Sequence, residues 1–305
     1  MKKVVSVSLG SKTRDYKREY ELGGEKIQVQ RIGTDGSLKK YKELLEKYDG
    51  KIDAFGIGGF DAYLCRKNKK YKIRDFWKLV KNVKKTPFLD GGGIKSTLES
   101  EIFQFVEKKL PEEVDEDRFT LVMSAVDRWG QAESAWKFVN KNKKLITFGD
   151  LIWGLKLGIP LHSLKTVNAL AIFLTPIVVR LPFSMLYPTG DKQTEFKPYK
   201  IKYFKKAKFI AGDFHFINRN MPKEGMEGKI IITNTTTEEN VERLKELGVK
   251  YIITSTPRIE GRSFGTNVLE ACIVAISEKN RELTMEEYRE YLKKFNIEPV
   301  IEKLN

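Results

Sequence analysis

Short β-branched runs alternate with helical patterns along almost the whole chain, and this alternation restricts the fold more than any other feature. Val4-Val5-Ser6-Val7-Ser8-Leu9 ends at Gly10 and reads as a buried strand. Ile27 to Ile32 alternates apolar and polar residues, as a half-buried strand does. Leu38 to Tyr48 predicts a helix capped by Asp35 or Ser37, and Ile52 to Gly59 predicts a strand opening into glycines. Further strands are predicted over 119–123, 144–148, 208–211, 229–233 and 251–254. Helical patterns occupy 73–85, 94–108, 127–140, 238–247, 267–277 and 285–295. Strands and helices in this order give an α/β architecture built on parallel sheets.

A chain of 305 residues is long enough for about two domains. The dense acidic run Pro111 to Asp117 reads as a solvated linker between them. The expected division is a substrate-type α/β domain over 1–112 and a doubly wound parallel sheet of Rossmann type over 113–305. Lys and Arg number 56 against 41 Asp and Glu, a net charge of +15. That balance suits a small anionic substrate. The basic residues are dispersed and form no recognisable nucleic-acid module. Two cysteines and two histidines favour neither a disulfide framework nor a metal centre. No signal-type apolar stretch follows Met1-Lys2-Lys3, so the expected location is cytoplasmic.

The strongest local arrangement is the strand–helix–strand unit of residues 119–150. In dinucleotide-binding units the first strand ends in a tight turn at a helix N-terminus, where free N–H groups receive a pyrophosphate. Here that turn reads Ser124-Ala125-Val126-Asp127-Arg128-Trp129-Gly130. Ser124, Ala125 and Gly130 are small enough for close approach, Val126 and Trp129 are bulky, and Arg128 offsets the charge of Asp127. Asp150 follows Gly130 by 20 residues, where an acid bonds the ribose hydroxyls of NAD and disfavours NADP. Without a nucleotide, Asp150 would cap a following helix.

The next strand ends carry polar residues, where open parallel sheets hold ligands. Asp213 and His215 form an acid–imidazole pair suited to proton transfer. Asn234 and Thr235 follow the next strand and join the expected cofactor contacts, although the Thr235–Glu238 stretch also reads as a helix cap. Arg258 and Arg262 are candidates for clamping a substrate carboxylate.

Five stretches carry a resemblance: residues 5–11, 90–93, 124–130, 212–216 and 260–267. Through them the chain resembles proteins named quinate 5-dehydrogenase and, distantly, the shikimate/quinate dehydrogenases. The resemblance implies a substrate domain followed by an NAD(P)-binding domain, and hydride transfer to or from a hydroxy acid in the cleft between. It implies that Ser6 and Ser8 bind substrate and that Asp90 pairs with a catalytic lysine. No V-T-x-P-x-K motif is present; Lys67, Lys69, Lys72 and Lys95 are the candidate lysines, of which Lys95 is taken with Asp90, Asp213 and His215 as the catalytic set.

An apolar insertion at about 151–190 interrupts the second domain. It reads as a buried helical element or a homodimer contact, or else as peripheral membrane contact through 167–187. The alternative function is accordingly a non-catalytic protein that binds a membrane surface or a partner.

Overall fold

A computed structural model describes residues 1–67, 69–182, 196–259 and 262–305, with only the backbone of Ile259, Arg262 and Ser263. It shows two α/β domains, each built on a mainly parallel sheet. The first sheet has the order β2-β3-β1-β4-β7. Its strands are β1 (Lys2–Ser8), β2 (Tyr16–Leu22), β3 (Glu25–Gly33), β4 (Ala54–Gly58) and β7 (Phe88–Leu89). All neighbours are parallel except β2 and β3. The hairpin of β5 (Tyr63–Arg66) and β6 (Lys69–Lys72) stands apart from it.

The second sheet has the order β15-β12-β11-β10-β8-β9. It contains β8 (Thr120–Val122), β9 (Ile146–Phe148), β10 (Phe209–Ala211), β11 (Ile230–Thr233) and β12 (Tyr251–Thr254), all parallel, with β15 (Val300–Lys303) antiparallel at the edge. The ribbon of β13 (Arg258–Ile259) and β14 (Arg262–Ser263) lies between β12 and the next helix. Strand order reverses between β1 and β4 in one sheet and between β8 and β10 in the other. The loops at those two points are where such sheets accept ligands.

The helices are α1 (Leu38–Tyr48), α2 (Arg74–Leu79), α3 (Gly92–Ser96), α4 (Ile102–Lys109), α5 (Trp129–Phe138), α6 (Leu164–Val178), α7 (Lys202–Lys206), α8 (Phe214–Asn220), α9 (Glu238–Glu246), α10 (Thr266–Ser277) and α11 (Met285–Lys294). Period-two burial sorts β1 residues between the two faces of its sheet. Val5, Val7 and Leu9 pack with α1 and α2, while Val4 turns to the opposite core with α10 and α11. In the second sheet Val122, Ile230 and Ile232 face α4 and α5, and Leu121, Ile210 and Ile231 face α8 and α9. Thr237 and Asn240 close a capping box on α9, which stops before Gly248 at φ 76°.

The expected division at residues 112 and 113 groups α10 and α11 with the second sheet. Their apolar faces, from Val268 to Leu292, instead complete the core of the first. The acidic run is largely exposed, as expected of a solvated segment, but Glu113 is buried and pairs with Lys250, and Asp115 lies 2.6 Å from Lys208. Helix α6 spans both domains. Leu164 and Val167 sit in the second core, Val179 in the first, and Arg66 of β5 donates to Asn168 at 2.8 Å. Among the described residues no helix is long and apolar enough to cross a membrane.

Candidate functional site

The segment Asp90-Gly91-Gly92-Gly93 carries the chain from β7 into α3 and needs its glycines for two separate reasons. Gly91 sits at φ 93°, a left-handed conformation that favours glycine. A Cβ at Gly93 would lie 2.2 Å from the Tyr288 ring. Asp90 ties this turn down. Its Oδ2 accepts from the amides of Ala62 (2.8 Å) and Tyr63 (3.3 Å), and its Oδ1 from Gly92 (3.0 Å). Asp90 therefore fastens backbone and does not pair directly with a lysine, which corrects the role expected of it.

Lys95, one turn further on, reaches carboxylates from both domains. Its Nζ lies 2.8 Å from Asp61, in the loop after β4, and 3.2 Å from Asp127, in the loop after β8. Burial alone would lower the ammonium's pKa, but Asp127 and Asp61 outweigh it and hold it well above the ordinary lysine value. Lys95 is thus held as a cation between two carboxylates. Burial, with the charges of Asp127 and Asp90 and against that of Lys95, pushes the Asp61 carboxyl up to about 6.

A second ion cluster adjoins the first. Arg128, 3% exposed, lies 2.5 Å from Glu99, which has no exposure, and 3.1 Å from Asp213. Ser255, after β12, also donates to Glu99 (3.1 Å). Asp213 caps α8 by accepting from the amide of His215 (2.9 Å), and Asn234 donates to its Oδ2 (2.8 Å). Burial would raise the Asp213 pKa; Arg128, His215 and Lys95 together hold it below the usual value. His215 lies exposed in the first turn of α8. Asp213 is accordingly a cap and an ion-pair partner, not a free orienting group for a reacting hydroxyl.

Beside Lys95 and Asp127 an open cavity of ≈ 360 Å³ lies between the domains. Tyr63, Asp90 and Arg289 line it from the first domain, and Ser100, Gly130 and Glu133 from the second. Cys65 also borders the cavity, but burial pushes its thiol up to about 11, so it is no nucleophile at neutral pH.

The expected cofactor loop is filled by the protein itself. Oδ1 of buried Asp150 accepts from the amides of Ala125 (2.9 Å) and Val126 (3.0 Å) and from Ser124 Oγ (3.3 Å). Those amides are the ones a pyrophosphate would need, so an internal carboxylate occupies the anion position. Arg128 is withdrawn into its ion pairs. A Cβ on Gly130 would meet the Lys95 carbonyl oxygen at 2.6 Å, so this glycine serves the packing of α5 on α3 rather than a phosphate. Asn234 is committed to Asp213 and to the amide of Phe214, and Thr235 is half-buried.

The remaining sequence candidates are scattered. Ser6 accepts from Asn267 (3.3 Å) and Ser8 from the amide of Gly10 (3.1 Å); both are buried. Arg258 pairs with Glu302 of the edge strand. The Arg262 side chain, and residues 183–187 of the apolar segment, lie outside the described residues. Two residues were missed in the sequence reading. Glu99 holds Arg128, and Glu270 accepts from the amides of Gly91 (2.6 Å) and Gly93 (2.9 Å) and from the Tyr288 hydroxyl (2.6 Å). Burial pushes the Glu270 carboxyl up to about 8. The available signal was an acid in the otherwise apolar run Val268 to Ala275.

Two family models match the chain, one described as Domain of unknown function (DUF8753) over residues 3–90 and one as Domain of unknown function (DUF8754) over residues 93–304. No curated protein matches the sequence. Solved structures of similar outline include a periplasmic solute-binding protein from Actinobacillus succinogenes with bound D-allose, at 12% identity, covering 100% of this chain and 98% of that one, with a TM-score of 0.40. Another is a periplasmic sugar-binding protein from Pseudomonas fluorescens, at 9% identity, 96% and 90% coverage, and a TM-score of 0.39. A third is the arabinose transporter component from Shewanella sp. ANA-3, at 10% identity, 96% coverage of both chains, and a TM-score of 0.35. The resemblance to quinate and shikimate dehydrogenases is corrected by the family models, which are described only as domains of unknown function. Hydride transfer and the NAD or NADP cofactor fall with it, because Asp150 already holds the amides a pyrophosphate would need. The cytoplasmic expectation has no counterpart among these three structures, which are described as periplasmic proteins.

Proposed function

The chain belongs to the family described as Domain of unknown function (DUF8754), and from that premise we propose that it binds a small polar ligand in the cavity between its two domains. One observation carries the reading. Polar side chains of both domains converge on a single cavity of ≈ 360 Å³, over an ion cluster in which Lys95 joins Asp61 to Asp127. That volume lies at the small end of ligand pockets, the size of a monosaccharide or an amino acid. Carboxylates, hydroxyls, four lysine ammoniums, the Arg289 guanidinium and the Gln104 amide line it, so a ligand rich in both donors and acceptors is favoured over an apolar one. Lys95 and Asp127 form the floor, with Ser100, Gln104, Glu133 and Lys137 on the second-domain wall. The charges are held by one another before a ligand arrives, which lowers the ordering cost of binding.

The test is calorimetry and thermal shift with a panel of monosaccharides, amino acids, hydroxy acids and inorganic phosphate, with NAD and NADP as controls. One class is expected to give saturable heat and a raised melting temperature. Gln104→Ala and Lys137→Ala, both exposed at the cavity wall, are expected to weaken it several-fold while leaving the unliganded melting temperature unchanged. No response to any class at millimolar concentration, or a response indifferent to both substitutions, overturns the assignment.

A further inference from the structure

Helix α6 turns two unlike faces outward and inward. Leu164, Val167, Ala171 and Thr175, at spacings of three and four, are buried between the domains. On the other side Ile172 is 44% exposed, Phe173 73% and Ile177 60%, with exposed Ala169 on the same stripe. The turn leading to α6 adds exposed Leu155, Leu157 and Ile159. Six of the ten large hydrophobic side chains most exposed among the described residues thus come from one insertion. Single exposed hydrophobics need no explanation, but a concentration of them marks an interaction surface.

The charge around this surface is of one sign. No Asp or Glu occurs between Asp150 and Asp191, while Lys156, Lys165 and Arg180 lie within that stretch and are exposed. Exposed Lys200 and Lys202 follow, and the methylene end of Lys200 approaches Gly158. A ridge of aliphatic and aromatic side chains in a stretch whose charged residues, from 151 to 190, are all cations matches an anionic lipid surface. A second copy is a poor occupant. A two-fold contact sets each patch against itself, the stretch offers no carboxylate to answer its own lysines, and each copy carries +15.

We propose that the outward face of α6, with the 155–159 turn, rests on the surface of an anionic bilayer, the apolar side chains entering the headgroup boundary and the lysines meeting lipid phosphates. α6 lies along the surface and does not cross it. Because α6 bridges the domains through Asn168 and Val179, a membrane would hold the molecule by the element that also spans the cavity-bearing halves.

The full chain is tested by co-sedimentation with phosphatidylglycerol-containing and pure phosphatidylcholine vesicles at low and high salt, alongside its sedimentation velocity. Binding is expected to the anionic vesicles only and to fall as salt rises. Phe173→Ser with Ile177→Ser, both at exposed positions, is expected to reduce it roughly tenfold or more, and Lys165→Glu with Arg180→Glu by a similar factor. A Phe173→Trp variant should show a blue-shifted emission with the anionic vesicles. Absence of binding to anionic vesicles at low salt overturns the proposal. Equal binding to neutral vesicles does so too, as does self-association that Phe173→Ser with Ile177→Ser abolishes. The cavity assignment is independent, since ligand titration of the Phe173→Ser with Ile177→Ser protein should be unchanged.

Discussion

Replacing Arg128 by Met tests whether the ion cluster beneath the cavity is a packed, dry assembly. The side chain is 3% exposed and lies between Glu99 and Asp213 at 2.5 and 3.1 Å. Met fills much of the volume but leaves Glu99, with no exposure, holding only the Ser255 hydroxyl at 3.1 Å. Removing one partner of a buried pair costs about 3–5 kcal/mol, far more than the pair contributes relative to an apolar replacement of both partners. For a chain of this size that corresponds to a loss of roughly 5–8 °C in melting temperature. The assay is urea unfolding followed by circular dichroism, comparing midpoints at constant slope. Arg128→Met with Glu99→Met should recover a good part of the loss, because no carboxylate is then stranded beside Ser255. Asp213 keeps Asn234 and its cap amides in every variant. A single-variant loss below about 1 kcal/mol would mean that water reaches Glu99 and that the cluster is not a sealed, dry assembly. A double variant no better than the single would show that the cost lies in lost packing and not in an uncompensated charge.

Glu270 gives a pH test with a defined sign. Its folded pKa of about 8 lies above the ordinary glutamate value, so its contribution is complete below about pH 4.5 and is lost as pH rises through 8. Urea midpoints should therefore fall between pH 5 and pH 8.5, by on the order of 3 kcal/mol, and Glu270→Gln should flatten that slope. Gly130→Ala should destabilise by about 1–3 kcal/mol, because the added methyl meets the Lys95 carbonyl oxygen at 2.6 Å and Ser100 Cβ at 3.1 Å. Thermal melts measure this; an unchanged melting temperature would contradict the packing role given to that glycine.

The strand runs were legible because burial on both faces selects continuous β-branched stretches, as at Ile230–Ile232, whatever their neighbours. The amphipathic pattern of α10 and α11 was equally legible as helix, but such a pattern does not say which sheet the apolar face will meet. Only the fold returns α10 to β4 and α11 to α3. The Asp150 expectation failed in an instructive way. An acid at that strand end beside exposed amides was read as a ribose ligand, and it does face those amides, but it bonds them directly and thereby excludes the phosphates. Asp61 and Asp127 were visible in sequence next to their glycines and strand ends. Their joint hold on Lys95 was not, because it pairs residues 61, 95 and 127 from two domains.

A chain with net charge +15 can satisfy most of its acids at the surface, so the acids it buries ask for a local reason. Glu99, Asp150 and Glu270 are all buried, and Asp61 and Asp127 are only partly exposed. Asp150 and Glu270 hold backbone amides in place, which ordinary turns do without charge. Asp61, Glu99 and Asp127 hold cations instead, and of the two pairs with Lys95 the one to Asp127 crosses the boundary between the domains. Desolvated pairs of this kind add little stability over apolar packing, but they fix geometry and leave an oriented field at the cavity floor. A ligand with both donors and acceptors would gain from that field at little cost in rearrangement, whereas a purely apolar ligand would have to desolvate Lys95 and Asp127 for nothing in return. The preference for a polar guest thus follows from where the acids are buried, independently of which guest proves to fit.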